Sequence, residues 1–125
     1  MKNALSWFEI PVANLDRATA FYEQALGQGL RREIFGGTPL AVFPFEAGPA
    51  EHNVGGALMF TPDRKPSDQG SIVYLDVTGK LDEVLARVPS AGGHVLMPRT
   101  HIGAPGYIAQ IRDPEGNIVG LHSHA

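Results

Sequence analysis

Two residues near opposite ends of the chain, Glu9 and His122, carry side chains that could transfer a proton. A carboxylate can act as a general base, and an imidazole changes its charge close to neutral pH. His122 also begins His122-Ser123-His124, whose spacing puts both rings on one face of a strand, where they could chelate a metal ion. Fraying is the commoner outcome so near the end of a chain. The chemistry of this pair therefore depends on what positions it.

The other histidines are His52, in a loop, His94, at the start of a strand, and His101, in a connection, and we expect them to be solvated. The 125 residues include no cysteine, which excludes a disulfide framework, a thiolate metal site and a cysteine nucleophile. The net charge of -3, with Arg31-Arg32 as the longest basic run, argues against a nucleic-acid surface.

Targeting signals are also lacking in the pattern of apolar residues. No stretch approaches the roughly 18 apolar residues of a membrane span. The first residues run into a strand-like pattern without the apolar core of a signal peptide. We therefore expect a cytoplasmic protein with neither nucleic acid nor membrane as a partner.

The first half of the sequence predicts one strand, one helix and three further strands. Phe8, Ile10 and Val12 alternate as on one face of a strand. Asn14 is a natural helix N-cap, and Gly27 is a natural helix stop. Three extended segments follow, at 30–35, 40–45 and 55–61, separated by turns rich in glycine and proline.

The second half repeats this order after a polar segment, Pro62–Gly70, that contains two prolines and is typical of a linker. A strand at 71–77 precedes a helix that begins at Leu81 and is expected to end near Gly92, with Pro89 ending or distorting its last turn. Three strands complete the half, at 94–97, 106–112 and 117–122. The last two flank Asp113-Pro114-Glu115-Gly116, a strong turn signal.

The matched order predicts an α+β fold of two β-α-β-β-β modules. We expect a curved, mostly antiparallel eight-stranded sheet around a pocket, with the helices on its outer face. Residues 1–125 then form one domain, with module 1 at about 1–62, a linker at 63–70 and module 2 at about 71–125. A ferredoxin-like sandwich is also built from repeated strand-helix units, but it places only two strands beside each helix.

The motifs name a family that this chain resembles. The segments Phe8–Val12, Leu15–Ala18 and Phe21-Tyr22, followed later by Ala91–Gly93 and Asp113–Asn117, are similar to the two modules of the vicinal oxygen chelate superfamily, the group of glyoxalases, bleomycin-resistance proteins and extradiol dioxygenases. The resemblance implies the fold above and usually a homodimer. It leaves the reaction open, because this scaffold carries isomerases, lyases, dioxygenases and binding proteins.

The resemblance also implies where a metal would be bound. Members that use one place His, Glu or Gln on the first and fourth strands of each module. Those positions fall near Trp7, Leu58, Ile72 and Gly120 in this sequence. None of these side chains can ligate a divalent ion, so we expect no metal and no other cofactor.

Strand alternation predicts which side chains line the hollow of the sheet. The apolar faces of the strands pack on the helices, which leaves the alternate residues facing the hollow. Alternation places Trp7, Ile72, Tyr74 and Gly120 in the expected ligand-binding wall. The register implied by the family resemblance adds Leu58 and Phe60 to it. Glu9 and His122 supply the polar and potentially catalytic groups, either as a paired base and orienter or as a partly wet ion pair.

Three functions remain open from the sequence. The first is metal-free binding of a small organic molecule, and the second is a lyase or isomerase of a small carbonyl or hydroxylated substrate. That enzyme would use Glu9 as general base, with or without a non-standard divalent metal site. The third, a purely structural dimer partner, leaves the hollow of the sheet without a use.

Overall fold

A computed structural model describes residues 3–46 and 53–125. Module 1 contains β1 (Trp7–Pro11), α1 (Leu15–Leu26), β2 (Arg31–Phe35), β3 (Thr38–Val42) and β4 (Gly55–Met59). Module 2 contains β5 (Tyr74–Asp76), α2 (Leu81–Ala91), β6 (His94–His101), β7 (Tyr107–Arg112) and β8 (Ile118–Ser123). The predicted α+β fold of two β-α-β-β-β modules is confirmed. Neither helix is long and apolar enough, over the described residues, to cross a membrane.

Each module forms its own four-stranded sheet. Sheet 1, in module 1, has the strand order β1-β4-β3-β2, and sheet 2, in module 2, has the strand order β5-β8-β7-β6. The first and fourth strands of a module pair in parallel, and its other neighbours pair antiparallel. The eight predicted strands are thus divided between two sheets, since β1 and β5 each lie at the edge of their own sheet. The parallel pair brings residues from the start and end of each module side by side.

Helix α1 begins and ends where the sequence indicates. The Asn14 side chain accepts a hydrogen bond from the Arg17 N–H, which satisfies one of the unpaired donors of the first turn. Gly27 follows the helix with φ of 74°, a left-handed conformation that favours glycine. These local signals fix the length of the helix that covers sheet 1.

Helix α2 extends past the proline expected to end it. Pro89 lies inside the helix, which continues to Ala91 and stops at Gly92, where φ is 107°. The Gly93 N–H still donates to the Val88 carbonyl, so the last turn closes around the proline. The end near Gly92 is confirmed, and Pro89 is accommodated because only two helical residues follow it.

Two strands of module 2 differ in length from the prediction. Strand β5 has only three residues, and β6 runs on to His101 with register shifts after Val95 and Met97. Because β6 lies at the edge of its sheet, Pro98 can interrupt the hydrogen-bond ladder there at little cost. His101 therefore belongs to a strand and not to a connection, although its side chain is exposed as expected.

One hydrophobic cluster joins the two modules. It contains side chains from both helices and from the helix-facing side of both sheets, among them Ile10, Tyr22, Leu58, Val88 and Leu121. The two helices also contact each other. The opposite side of each sheet, which no helix of its module covers, is called here the helix-free face.

The turn between β7 and β8 ties module 2 to the beginning of α1. The side chain of Glu115 is fully buried and accepts hydrogen bonds from the Ala13 and Asn14 N–H groups and from Arg17. Burial alone would raise the pKa of Glu115, but these hydrogen bonds outweigh it and lower the pKa. The predicted turn is therefore also a tether between the modules.

Asp113 anchors the same turn in the core. One carboxylate oxygen accepts the Tyr22 hydroxyl at 2.7 Å, and the other accepts the N–H groups of Glu115 and Asn117. Burial raises the pKa of Asp113 despite these hydrogen bonds, and burial together with the Asp113 charge raises the pKa of Tyr22 well above its usual range. The side chain of Asn117 in turn donates to the Pro11 carbonyl, which fixes the end of β1.

Candidate functional site

A small cavity opens on the helix-free face of sheet 1. Its volume is about 290 Å³, and its lining is Trp7, Glu9, Phe35, Thr38, Leu40 and Met59, a set called here the Trp7 cup. All six residues lie within regular strands, so backbone hydrogen bonds hold their positions. The cup therefore presents a defined arrangement of side chains.

The register of the strands explains why these side chains share a face. Phe35 pairs with Thr38 and Leu40 with Met59, and paired residues point to the same side of a sheet. Trp7 and Glu9 alternate with the core residues of β1 and therefore join them on that side. Four strands thus contribute to one surface.

The cup has an apolar floor and aromatic walls. Leu40 is only 4% exposed and packs with Val42, Ala57 and Met59 in a second, small hydrophobic cluster. The walls stand in solvent, with 38% of Trp7 and 60% of Phe35 exposed. Exposed aromatic rings over a closed apolar floor are typical of a small-ligand site.

Glu9 supplies the carboxylate of the cup. Its Oε2 accepts a hydrogen bond from Trp7 Nε1 at 3.3 Å. The Trp7 ring also contacts Phe45 edge-on, with 6.5 Å between the ring centroids. These two contacts orient the indole and hold the carboxylate beside its edge.

The helix-free face of sheet 2 is polar by comparison. Tyr74 pairs with Gly120, and a Cβ added at Gly120 would collide with the Tyr74 ring, so the ring lies directly over the glycine. Gln110 pairs with Gly120 from the other side and donates to the Tyr74 hydroxyl at 2.8 Å. The glycine thus provides the space in which the tyrosine is held.

Asp76 and His122 pair next to this tyrosine. Partial burial acts to raise the pKa of Asp76, but hydrogen bonds from the Thr78 hydroxyl and N–H, together with positive charge on His124 and His122, lower the pKa overall. His122 Nε2 lies 2.8 Å from the Pro105 carbonyl, and the rings of His122 and His124 meet edge-to-face at 4.5 Å. Both histidines are thus held near the end of β8 instead of fraying.

The register implied by the family resemblance places one predicted wall residue, Leu58, on the wrong face. Leu58 is fully buried on the helix-facing side, paired with Ile10, and its neighbours Ala57 and Met59 face the other way. The prediction slipped by one residue, which transfers a strand's side chains to the opposite face. Phe60 lies just beyond β4, is 37% exposed and does not line the Trp7 cup.

The other predicted site residues lie on the two helix-free faces. Trp7 and Glu9 share the cup in module 1, whereas Tyr74, Gly120 and His122 share the polar face of module 2. Ile72 lies before β5 and is 42% exposed. The hydrogen bonds of Glu9 and His122 go to Trp7 and Pro105 respectively, so each residue is held within its own module.

Sequence reasoning missed Phe35, Thr38, Leu40 and Met59, four of the six cup residues. The sequence predicts strands at Phe35 and Leu40 but does not assign either residue to a face of the sheet. A larger cleft of about 1010 Å³ was also missed, since it lies where β5 approaches Phe8 and Phe43 of module 1. Its wall includes Glu46 and Asn53, which border residues outside the described ranges. The predicted loop histidine His52 lies outside the described residues.

Comparison with known proteins identifies the family. The family model described as Glyoxalase/Bleomycin resistance protein/Dioxygenase superfamily matches residues 4–121 of the sequence. No curated protein matches the sequence. The match spans both modules and the tether between them.

Solved structures share the fold at low sequence identity. A glyoxalase/bleomycin resistance protein from Albidiferax ferrireducens T118 is 20% identical with a TM-score of 0.70, over 98% of this chain and 100% of that chain. A related family enzyme from Burkholderia phytofirmans PsJN is 16% identical with a TM-score of 0.67, over 98% and 100% of the two chains.

A longer protein also contains this fold. A glyoxalase I mutant from Zea mays is 22% identical with a TM-score of 0.68, and the match covers 94% of this chain but 45% of the maize chain. The paired modules, the tether and the match over residues 4–121 lead to one conclusion: this chain belongs to the glyoxalase/bleomycin resistance protein/dioxygenase superfamily.

Proposed function

We propose that this protein binds a small organic molecule in the Trp7 cup and does so without the metal centre of its family. The carrying observation is the cup itself, with aromatic walls at Trp7 and Phe35, an apolar floor at Leu40 and Met59, and the carboxylate of Glu9. Such a lining buries the apolar part of a ligand and orients it through a few polar groups.

The chemistry of the residues at the expected ligand positions supports metal-free binding. The indole of Trp7 donates its only polar hydrogen and has no lone pair to offer, and Ile72 is an alkyl side chain. The space beside Gly120 is filled by the Tyr74 ring. Correcting the register of β4 replaces Leu58 with Ala57 or Met59, neither of which offers the oxygen or imidazole nitrogen that a divalent ion of this type takes.

A second candidate function is catalysis by Glu9 as general base, in a lyase or isomerase acting on a small carbonyl or hydroxylated substrate. It is favoured by the position of the carboxylate in a cavity, where a bound substrate would lie within its reach. Turnover of any ligand found for the cup, lost in Glu9→Gln while binding persists, would establish it. Unchanged turnover in that variant would exclude Glu9 as the base.

The homodimer implied by the family is a further part of the proposal. Large apolar side chains stand exposed on both modules, including Leu5 at 48% and Leu96 at 43%. Burying them between two copies would remove apolar surface from water. Sedimentation equilibrium should give twice the chain mass, and a monomer at micromolar concentration would contradict the dimer. The cytoplasmic location stays a prediction.

The binding test uses Trp7, the single tryptophan, as its reporter. A panel of neutral, cationic and anionic aromatic compounds is titrated while Trp7 fluorescence is followed, and calorimetry confirms each hit. Phe35→Ala removes one wall and is expected to weaken binding about tenfold. Ile34→Ala is the matched control, because Ile34 is the adjacent exposed residue on the opposite face, and its affinity should stay within about twofold of the parent.

The binding test can also contradict the proposed site and its independence of metal. No binding by any member of the panel, or equal effects of Phe35→Ala and Ile34→Ala, would contradict a site in the cup. Metal independence is tested by extensive dialysis against a chelator followed by the same titration. Unchanged affinity supports the proposal, whereas stoichiometric metal in the purified protein and loss of binding after chelation would overturn it.

A further inference from the structure

We propose that the Trp7 cup selects organic cations, namely amines or quaternary ammonium ions carrying a small apolar group. This inference rests on the proposed function and names its ligand class. It is carried by the charge, the aromatic surface and the hydrogen-bonding groups of the cup, each of which favours a cation for a separate reason.

The charge of the cup is negative. Glu9 is the one ionisable side chain among its six lining residues. The nearest charges on the same face of β2 are Arg31 and Glu33, which form an ion pair at 3.2 Å and so largely offset each other. Within residues 3–46 and 53–125, a ligand in the cup therefore meets one carboxylate that has no ion-pair partner.

The aromatic walls act in the same direction. The faces of indole and phenyl rings are electron-rich, and tryptophan is the ring that attracts a cation most strongly. Trp7 and Phe35 are both exposed, and Trp7 is held in place by Glu9 and Phe45. A cation between the walls interacts with ring faces as well as with the carboxylate.

Anions find little to bind in this cup. Its hydrogen-bond donors are Trp7 Nε1, already directed at Glu9, and the hydroxyl of Thr38. The floor of Leu40 and Met59 offers no positive charge and suits alkyl groups on a cation. A volume of about 290 Å³ is at the small end of ligand pockets, which fits a single ammonium group with a ring or short chain.

The test compares two probes of almost the same shape, phenyltrimethylammonium and its neutral isostere tert-butylbenzene. Hydrophobic transfer alone favours the neutral compound, so a preference for the cation isolates the electrostatic contribution. We expect the cation to bind about tenfold more tightly than the isostere, by Trp7 fluorescence and by ligand-observed NMR.

Two isosteric variants locate the effect. Glu9→Gln should weaken binding of the cation about tenfold and leave the neutral isostere unchanged. Glu83→Gln makes the same change in net charge on the exposed surface of α2, and should leave both affinities within about twofold of the parent.

The outcomes separate this inference from the function on which it rests. Equal or tighter binding of tert-butylbenzene, or a Glu9→Gln variant that binds the cation as well as the parent does, would overturn cation selection while leaving a small-molecule site in the cup. No binding of either probe or of any panel compound would overturn the proposed function itself.

Discussion

The helix-free faces of the two sheets have equivalent backbone positions but carry side chains of different chemistry. The Val12 N–H donates to the Met59 carbonyl in module 1, and the Val77 N–H donates to the His122 carbonyl in module 2. By this correspondence Met59 matches His122, and Ala57, beside Glu9, matches Gly120, beside Tyr74. One face has become an apolar cup with a carboxylate, and the other a hydrogen-bonded polar surface.

The helix-facing sides show the opposite behaviour. Leu58 and Leu121 occupy matched positions, and both are buried in the shared hydrophobic cluster. Packing against the helices constrains these positions in both modules, because a change in volume leaves a cavity or a clash. The free faces have no such neighbour, and they are where the modules differ.

The largest expected effect is on stability, and it tests the difference between the helix-facing and helix-free sides of the sheets. Leu58→Ala and Leu121→Ala should each reduce the free energy of unfolding by about 2–5 kcal/mol, since each leaves a cavity in the shared core. Met59→Ala and His122→Ala, the neighbouring residues on the free faces, should each cost less than about 1.5 kcal/mol. Urea denaturation measures all four, and equal losses on both sides would contradict the assignment of faces.

A smaller loss of stability is expected at Gly120, where the two modules differ most directly. Gly120→Ala should destabilise the protein by about 1–3 kcal/mol, because the new Cβ collides with the Tyr74 ring. In a Tyr74→Ala background the same substitution should cost less than about 0.5 kcal/mol. Additive losses in this double-mutant cycle would show that the ring does not occupy the space beside Gly120.

The smallest effect concerns the tether, which places β1 and therefore the cup. Glu115→Gln should cost about 1–2 kcal/mol at neutral pH, because it weakens the charge-assisted hydrogen bonds from Arg17 and the N–H groups at the start of α1.

The stability lost in Glu115→Gln is expected to depend on pH. The folded-state pKa of Glu115 is lowered, so its stabilisation is present above the unfolded pKa of about 4.3 and disappears as the pH falls through the folded value. Parent and variant should therefore converge in stability at acidic pH. A difference that stays constant from neutral pH to below the folded pKa would show that the carboxylate charge is not what the tether uses.

Much of the fold follows from local signals in the sequence. Asn14 and Gly27 mark the ends of α1, and Gly92 marks the end of α2, because caps act through the backbone beside them. The tether is less visible. The Asp113–Gly116 turn is recognisable, but its contacts with Tyr22 and α1 are made between distant parts of the chain.

The site was only partly predictable, for reasons of register. Alternation placed Trp7, Glu9 and Tyr74 on free faces, since each flanks a clear apolar stripe. The register implied by the family resemblance is wrong at Leu58, and alternation does not correct it, because Gly55–Met59 is almost uniformly buried and hydrophobicity does not distinguish its two sides. The division of the strands into two sheets, with Glu9 on one and His122 on the other, depends on pairing partners that no local pattern reveals.

The central claim, that the ligand site lies on the free face of sheet 1, is tested most directly by NMR. Phenyltrimethylammonium is titrated into isotope-labelled protein while backbone amides and the single Trp7 indole N–H are followed. The account predicts shifts at Trp7, Glu9, Phe35 and Met59, with the amides of β5 and β8 unmoved. Shifts confined to Tyr74–Asp76 and Ile118–Ser123 would contradict it, and so would the absence of shifts with phenyltrimethylammonium and with every compound of the binding panel.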